Sequence, residues 1–285
     1  MKQTKVVRQG GRQYNIQDFG TSIVRTERTR YTVHLSLITV ITLAVSGFVA
    51  AFIDATVGGG GLISLPALLF VGLPPSLALG TNKLAGTMSA VTSFTSYLTS
   101  GKVSIRLVGP LFPLGVFASA AGAIVVHHLP SSFLRPFVLV MLVFVASYTI
   151  FKKNLGLVEA MRTTKARAYF WTALLAIVLG FYDGFFGPGT GSFLMMGFVL
   201  LGFDFLAASG NARTLNFASN VGALIAFASV GSIRYEDGLI LGVCMMLGAF
   251  TGSRFAIRKG SRYVRPLFIG VTCIVIAQQI YTLIH

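Results

Sequence analysis

The segment Phe52-Ile53-Asp54-Ala55-Thr56-Val57-Gly58-Gly59-Gly60-Gly61 and the segment Phe181-Tyr182-Asp183-Gly184-Phe185-Phe186-Gly187-Pro188-Gly189-Thr190-Gly191 follow the same plan. Each ends a long apolar stretch, places an aspartate after a Phe-Xaa pair, and then breaks into glycines. Glycine clusters interrupt helices, and a matched pair of interruptions in two halves of a chain marks a solute site built at a repeat interface.

Working outward, the chain around these breaks is that of a polytopic membrane protein. Of 285 residues, 54% are hydrophobic and 11% charged, and mean hydropathy is +0.77. A water-soluble domain carries more charge than this to cover its core. Apolar stretches of spanning length occupy 32–53, 107–126, 133–151, 238–257 and 266–284, with a Gly/Ser/Thr-rich pair at 77–99 and 206–230. The net charge of +15 sits in the first 30 residues and in short loops between spans. Such loops carry the cytoplasmic basic residues of membrane proteins, so the charge does not imply nucleic acid.

Laying 72–101 over 202–231 pairs Gly72 with Gly202, Ala78 with Ala208, Gly80 with Gly210, Ser89 with Ser219, Val91 with Val221 and Gly101 with Gly231. The two Asp-Gly segments fall one residue out of this register. Spread over a whole half, weak identity of this kind is the residue of a duplicated fold. The expected fold class is therefore an all-α polytopic membrane protein of two five-segment repeats, inverted in the membrane, each with a Gly-rich broken or re-entrant helix. Residues 1–31 form a basic N-terminal extension without expected order, 32–151 the first transmembrane repeat, 152–167 a basic cytoplasmic loop and 168–285 the second repeat. The stretches 62–72 and 192–202 follow the breaks. At eleven residues each they rise about 16 Å, half of the ~30 Å hydrocarbon layer, so neither crosses alone.

If each interrupted pair returns to its own side, Lys102 and Arg106, the run from Lys152 to Arg167, and Arg258 to Arg265 share one face, the cytoplasmic one. This arrangement puts the basic arm outside, against the positive-inside rule. Making the short stretches non-crossing repairs the arm but moves Arg258 to Arg265 outside. The first arrangement is preferred.

Ionisable groups at membrane depth are few: Asp54, Lys83, Asp183 and Arg213, with Asp204 at an interface between segments. Placing one in hydrocarbon costs roughly 2.5–3.5 kcal/mol on insertion scales, so each is expected to meet a partner or a wet cavity. Lys83 and Arg213 are equivalent under the overlay. Two such cations beside two helix breaks, with backbone N–H groups at the starts of the short helices, make a site for an anion. Snorkelling, or pairing with Asp54 and Asp183, accounts for the cations equally simply.

Asn82, Asn211, Asn216, Asn220, Thr81, Ser89 and Ser219 cluster around them as neutral donors, although Ser, Thr and Asn also join helices to one another. The candidate substrate-binding set is Lys83, Arg213, Asn82, Asn211, Asn216, Gly58, Gly59, Gly60, Gly61, Gly187, Gly189, Gly191 and Ser192. Asp54 and Asp183 are candidates for proton coupling, because a low-dielectric cavity favours the neutral carboxyl; as an alternative they cap the breaks.

Other features carry less. His127 and His128 precede Pro130 at a span end, Trp171 is an interfacial anchor, and Cys244 and Cys273 have no CxxC partner. Neither a Ser-His pair at one depth nor an HExxH motif is present, so no catalytic residue, metal or cofactor is expected.

These residues resemble a known family. Phe52 through Leu62 with Pro66 and Thr81-Asn82-Lys83-Leu84, then Gly180 through Ser192 with Asn216 and Asn220, are strongly similar to the sulfite exporter TauE/SafE family, also called 4-toluene sulfonate uptake permeases. The likeness spans about 32–285. It implies a multi-pass permease of the bacterial inner membrane that moves sulfite, a sulfonate or a related small organic anion, with the proton gradient as its driving force. It also implies that Gly58 to Gly61 and Gly187 to Gly191 form the substrate region. The expected function is thus a secondary transporter, not an enzyme, with a small anion, the lipid bilayer and protons as partners; the alternatives are an anion channel and a non-transporting scaffold.

Overall fold

A computed structural model of the chain describes residues 6–9, 12–15, 36–130, 132–134, 136–137, 140 and 165–260. It divides into a unit from Met1 to Ser36 and a unit from Leu37 onward. In the first, β1 (Val6–Gln9) pairs antiparallel with β2 (Arg12–Asn15), Val6 opposite Asn15 and Gln9 opposite Arg12. Both strands fall within the basic N-terminal extension. Their sequence rationale is Val and Tyr, good strand formers, on either side of Gly10-Gly11.

The described part of the second unit is helical. In the first half of the chain α1 is Leu37–Val57, α2 Gly61–Phe70 and α3 Pro75–Thr99. There follow α4 (Ile105–Val108), a 3-10 turn at Gly109–Leu111, and α5 (Phe112–His127), which together make one spanning segment. In the second half α6 is Lys165–Phe185, α7 Thr190–Leu200, α8 Phe205–Ser229 and α9 Tyr235–Lys259. Each element lies within a few residues of its expected position. The exception is α6, marked in the sequence only as the apolar stretch that ends in the second break and given no bounds: its Lys165 and Arg167 dilute the apolar signal. The final spans expected at 133–151 and 266–284 lie almost wholly outside the described residues.

Among the described residues, four segments are long and apolar enough to cross a bilayer: Leu37–Val57, Ile105–His127, Ala166–Phe185 and Tyr235–Lys259. Their exposed faces carry Ile41, Val45, Phe117, Ile177 and Leu247, as a lipid-facing surface requires. The 25-residue helices α3 and α8 are equally long but polar, with Lys83 and Arg213 on them, and both cations are buried.

The packing explains how they are hidden. α3 and α8 lie against each other, α9 covers α3 and α1, and α5 covers α8 and α6. The fourth segment of each half thus clothes the first and third helices of the other. Small residues allow these approaches, as they do where apolar surface supplies no driving force between helices. A Cβ on Gly252 would sit 2.4 Å from the Phe52 carbonyl oxygen across α9 and α1, and one on Gly184 would sit 1.8 Å from that of Ser119 across α6 and α5.

Candidate functional site

The site begins at the two breaks. Between α1 and α2 the chain turns through Gly58 and Gly59 at φ +85° and +91°, and between α6 and α7 through Gly187 and Gly189 at +98° and +86°. Only glycine adopts this left-handed backbone without strain, which is why both breaks are glycine clusters. The breaks touch. A Cβ on Gly58 would lie 2.3 Å from Ser192 N, and one on Gly61 would lie 3.0 Å from Pro188 Cα. Irregular backbone at membrane depth is tolerable when it is buried in protein, and here each break buries the other.

Local bonds complete them. Asp54 Oδ1 accepts from Gly60 N at 3.1 Å, the Tyr182 hydroxyl donates to the Pro188 carbonyl at 2.7 Å, and the Thr190 hydroxyl donates to the Gly187 carbonyl at 2.7 Å. Asp54 thus ties the residue that precedes the first short helix back to α1. It also means that the first short helix offers Gly60 N to the protein's own carboxylate rather than holding it open.

Both cations are paired, each with the aspartate of the other half. Lys83 Nζ on α3 is 2.9 Å from Asp183 Oδ1 on α6. Arg213 NH1 on α8 bonds Asp54 Oδ2 on α1. Three of the four side chains are at most 3% exposed, and Asp54 is 19% exposed. Both pairs border the second break: a Cβ on Gly187 would meet Lys83 Nζ at 2.8 Å, and one on Gly191 would meet Arg213 NH2 at 2.9 Å. Asp183 is tied further by the Ser219 hydroxyl, which donates to Oδ2 at 2.6 Å, while the Ser219 carbonyl accepts from the Ser119 hydroxyl at 2.6 Å.

Between the pairs lies a polar cavity of about 40 Å³, walled by Asp54, Lys83, Asp183, Asn82, Asn216 and Asn220 together with Gly61, Gly187, Gly189 and Gly191. One water needs about 10–15 Å³ measured this way, so the space takes a small ion or the head group of a larger one.

Not every expected residue faces it. Arg213 stands behind Gly191; Gly58, Gly59 and Ser192 build the contact between the breaks, with the Ser192 hydroxyl 3.4 Å from the Val57 carbonyl; and Gly60 packs back on Ala50 and Asp54 of α1. Asn211 lies off the cavity. Its Oδ1 accepts from Ser104 N at 2.8 Å, tying α8 to the turn before α4. The equivalent residue, Thr81, accepts from Arg234 N at 2.9 Å before α9. Both lie one residue beyond a glycine, Gly210 or Gly80, that is pressed against the same opposing turn. These polar groups hold loops, as buried N–H groups without a ladder partner require. Asp204 likewise caps α8, accepting from Leu206 N and Ala207 N.

Thr190, within the Gly187 to Gly191 region, lines the cavity, as do Ser64, Gly86 and Met245, which were not among the expected residues. Ser64 is one helical turn past Gly60, and Gly86 aligns with Asn216, signals that the sequence did contain; Met245 on an apolar span had none.

Interrupted helices meeting at buried ion pairs within a bundle of spanning segments define a polytopic membrane transporter rather than an enzyme. Residues 43–278 match the family described as Sulfite exporter TauE/SafE. The chain belongs to that family. It is 39% identical to "Probable membrane transporter protein ORF9" of Sinorhizobium sp over 231 residues, covering 81% of this chain and 88% of that protein. It is 34% identical to a "Probable membrane transporter protein" of Haemophilus influenzae over 236 residues, 82% of this chain and 92% of that one. Against "Probable membrane transporter protein YfcA" of Escherichia coli K12 it is 32% identical over 233 residues, 81% of this chain and 86% of that one. No solved structure matches the chain.

Proposed function

We propose that this membrane transporter carries a small anion, sulfite, a sulfonate or a related organic anion, together with protons across a bacterial inner membrane. Its two halves work as inverted repeats in alternating access. One observation carries the proposal: the two buried ion pairs both cross between the halves and both border the cavity at which the breaks meet. The crossed packing of α9 on α1 and α3, and of α5 on α6 and α8, supports the repeat.

The electrostatics supply the coupling. Two cations and two carboxylates sum to zero, so an added anion has no net charge to bind. A proton on one carboxyl removes its claim on the facing cation, which then accepts the anion in its place. Anion and proton enter together because either alone leaves an uncompensated charge at low dielectric. Since both pairs bridge the halves, releasing one loosens the tie that resists a change of access.

The test is a thermal-shift screen of the detergent-purified chain against sulfite, sulfate, thiosulfate, sulfoacetate, taurine and small carboxylates, followed by flux in proteoliposomes. Stabilisation by at least one of the sulfur oxyanions, with saturable flux that responds to an imposed pH gradient, is the expected result. Unitary conductance in a planar bilayer replaces the transporter with a channel. Failure of every anion in both assays overturns the proposal in favour of a scaffold.

A further inference from the structure

The two ion pairs are related by sequence but differ in how they are held. Asp183 is closed on both sides, Oδ1 against Lys83 Nζ at 2.9 Å and Oδ2 under the Ser219 hydroxyl at 2.6 Å, and it is buried. Asp54 is the one member of the four with appreciable exposure, and its Oδ1 is held by a single amide at 3.1 Å.

The cations differ as well. Arg213 is 1% exposed and uses NH1 for Asp54, while its Nε and NH2 have no hydrogen-bond partner among the described residues. Donors left unmade at this depth are rare and unfavourable unless a ligand takes them. NH2 faces the position at which Gly191 lacks a side chain, 2.9 Å away, and Asp54 Oδ1 faces the same position at 3.2 Å. Gly191 and Asp54 both line the cavity. The missing side chain therefore lets guanidinium and carboxylate close together on the backbone of Gly191, with Arg213 directly behind this part of the cavity wall.

Resting on the transporter reading, we infer that the labour is divided. Asp54 and Arg213 form the exchanging pair: a proton on Asp54 frees the guanidinium, and the anion is taken on its Nε and NH2 edge. Lys83 and Asp183 stay closed as a strut across α3 and α6, anchored through Ser219 on α8 and Ser119 on α5. The proton moves onto the Asp54 carboxylate and the anion restores the charge; no covalent bond is made or broken.

Among the described residues the charged and titratable surroundings of Asp54 are few. Arg213 comes from α8; Lys83 comes from α3, as does Tyr97, whose hydroxyl donates to the Ala55 carbonyl at 2.9 Å; and Asp183 of α6 borders the same cavity. α2 and α7 contain no ionisable residue. α9 gives Met245 to the cavity and keeps Glu236, Asp237, Arg254, Arg258 and Lys259 toward its ends. A planar guanidinium edge binds two oxygens of one centre better than a single point charge, so the substrate class is an oxyanion with two equivalent terminal oxygens, such as a sulfonate or a carboxylate, in preference to a halide.

The experiment measures methanesulfonate binding to the detergent-purified full chain by calorimetry and thermal shift, at about pH 4 and about pH 8, a range over which this strong acid keeps one charge and whose lower end reaches the ordinary carboxyl range. Wild type is expected to bind more tightly at the acidic pH, and Asp54→Asn to bind equally at both. Arg213→Lys should lose about tenfold or more in affinity, since an ammonium lacks the two-pronged edge. Asp183→Asn should melt earlier yet keep the pH difference, and Ser219→Ala gives the same readout should Asp183→Asn fail to fold. The inference is overturned when the pH difference survives in Asp54→Asn, when it vanishes in Ser219→Ala, or when Arg213→Lys binds as wild type. Wild type that binds neither methanesulfonate nor sulfite at either pH counts instead against anion transport itself.

Discussion

Lys83 in the first half of the chain and Asp183 in the second, a hundred residues apart, lie 2.9 Å from each other with both side chains buried. Removing one partner of such a pair strands a charge away from water, which costs about 3–5 kcal/mol, whereas replacing both with apolar groups of like volume is far milder. Lys83→Met and Asp183→Leu should each lower the melting temperature of the purified protein strongly, and the double substitution should recover much of that loss. A thermodynamic cycle on detergent-solubilised protein measures this; equal, additive losses would reject the pairing.

The contact between the breaks predicts a ranking. Gly58→Ala combines a left-handed backbone with a Cβ 2.3 Å from Ser192 N, so neither relaxation nor a rotamer relieves it, and the yield of monodisperse protein should fall sharply. Gly72 has a similar φ of +94° but nothing within 4 Å, so Gly72→Ala should cost only the backbone term, about 1–2 kcal/mol. Size-exclusion profiles and melting curves of the two variants give the order.

Asn211 and Thr81 should behave as anchors. Asn211→Ala and Thr81→Val each leave a loop N–H, of Ser104 or Arg234, without its acceptor, at about 1–3 kcal/mol. Stability should drop while the substrate concentration for half-maximal flux stays put. A change in apparent affinity with unchanged melting would place Asn211 back in the binding set.

Gly86→Ala tests the cavity from the α3 side. Its Cβ would press on Asn220 Oδ1 at 2.8 Å, a side-chain atom that can swing aside, but only into the space that Asn220 helps to line. The helix gains about 1 kcal/mol from alanine. The protein should therefore fold at least as well and show a smaller anion-induced thermal shift than wild type.

Much of this architecture was legible from residue types alone. Glycine clusters after an aspartate mark helix breaks because local backbone sterics do not depend on the rest of the fold. The short segments 61–70 and 190–200 follow from length against bilayer thickness, and the candidate spans follow from apolar runs. That Asp54, Lys83, Asp183 and Arg213 matter follows from the cost of charge in hydrocarbon. Which carboxylate meets which cation was not legible: Asp54 could have faced Lys83 in its own half, and only the crossing of α1, α3, α6 and α8 assigns it to Arg213. The same limit hid the bond between Asn211 and Ser104, since an acceptor 107 positions from its donor leaves no mark on either neighbourhood. Local chemistry determined what kinds of groups lie at membrane depth; three-dimensional packing decided their partners, because hydrogen bonds and ion pairs depend on distance in space and a periodic sequence carries distance only along one helix.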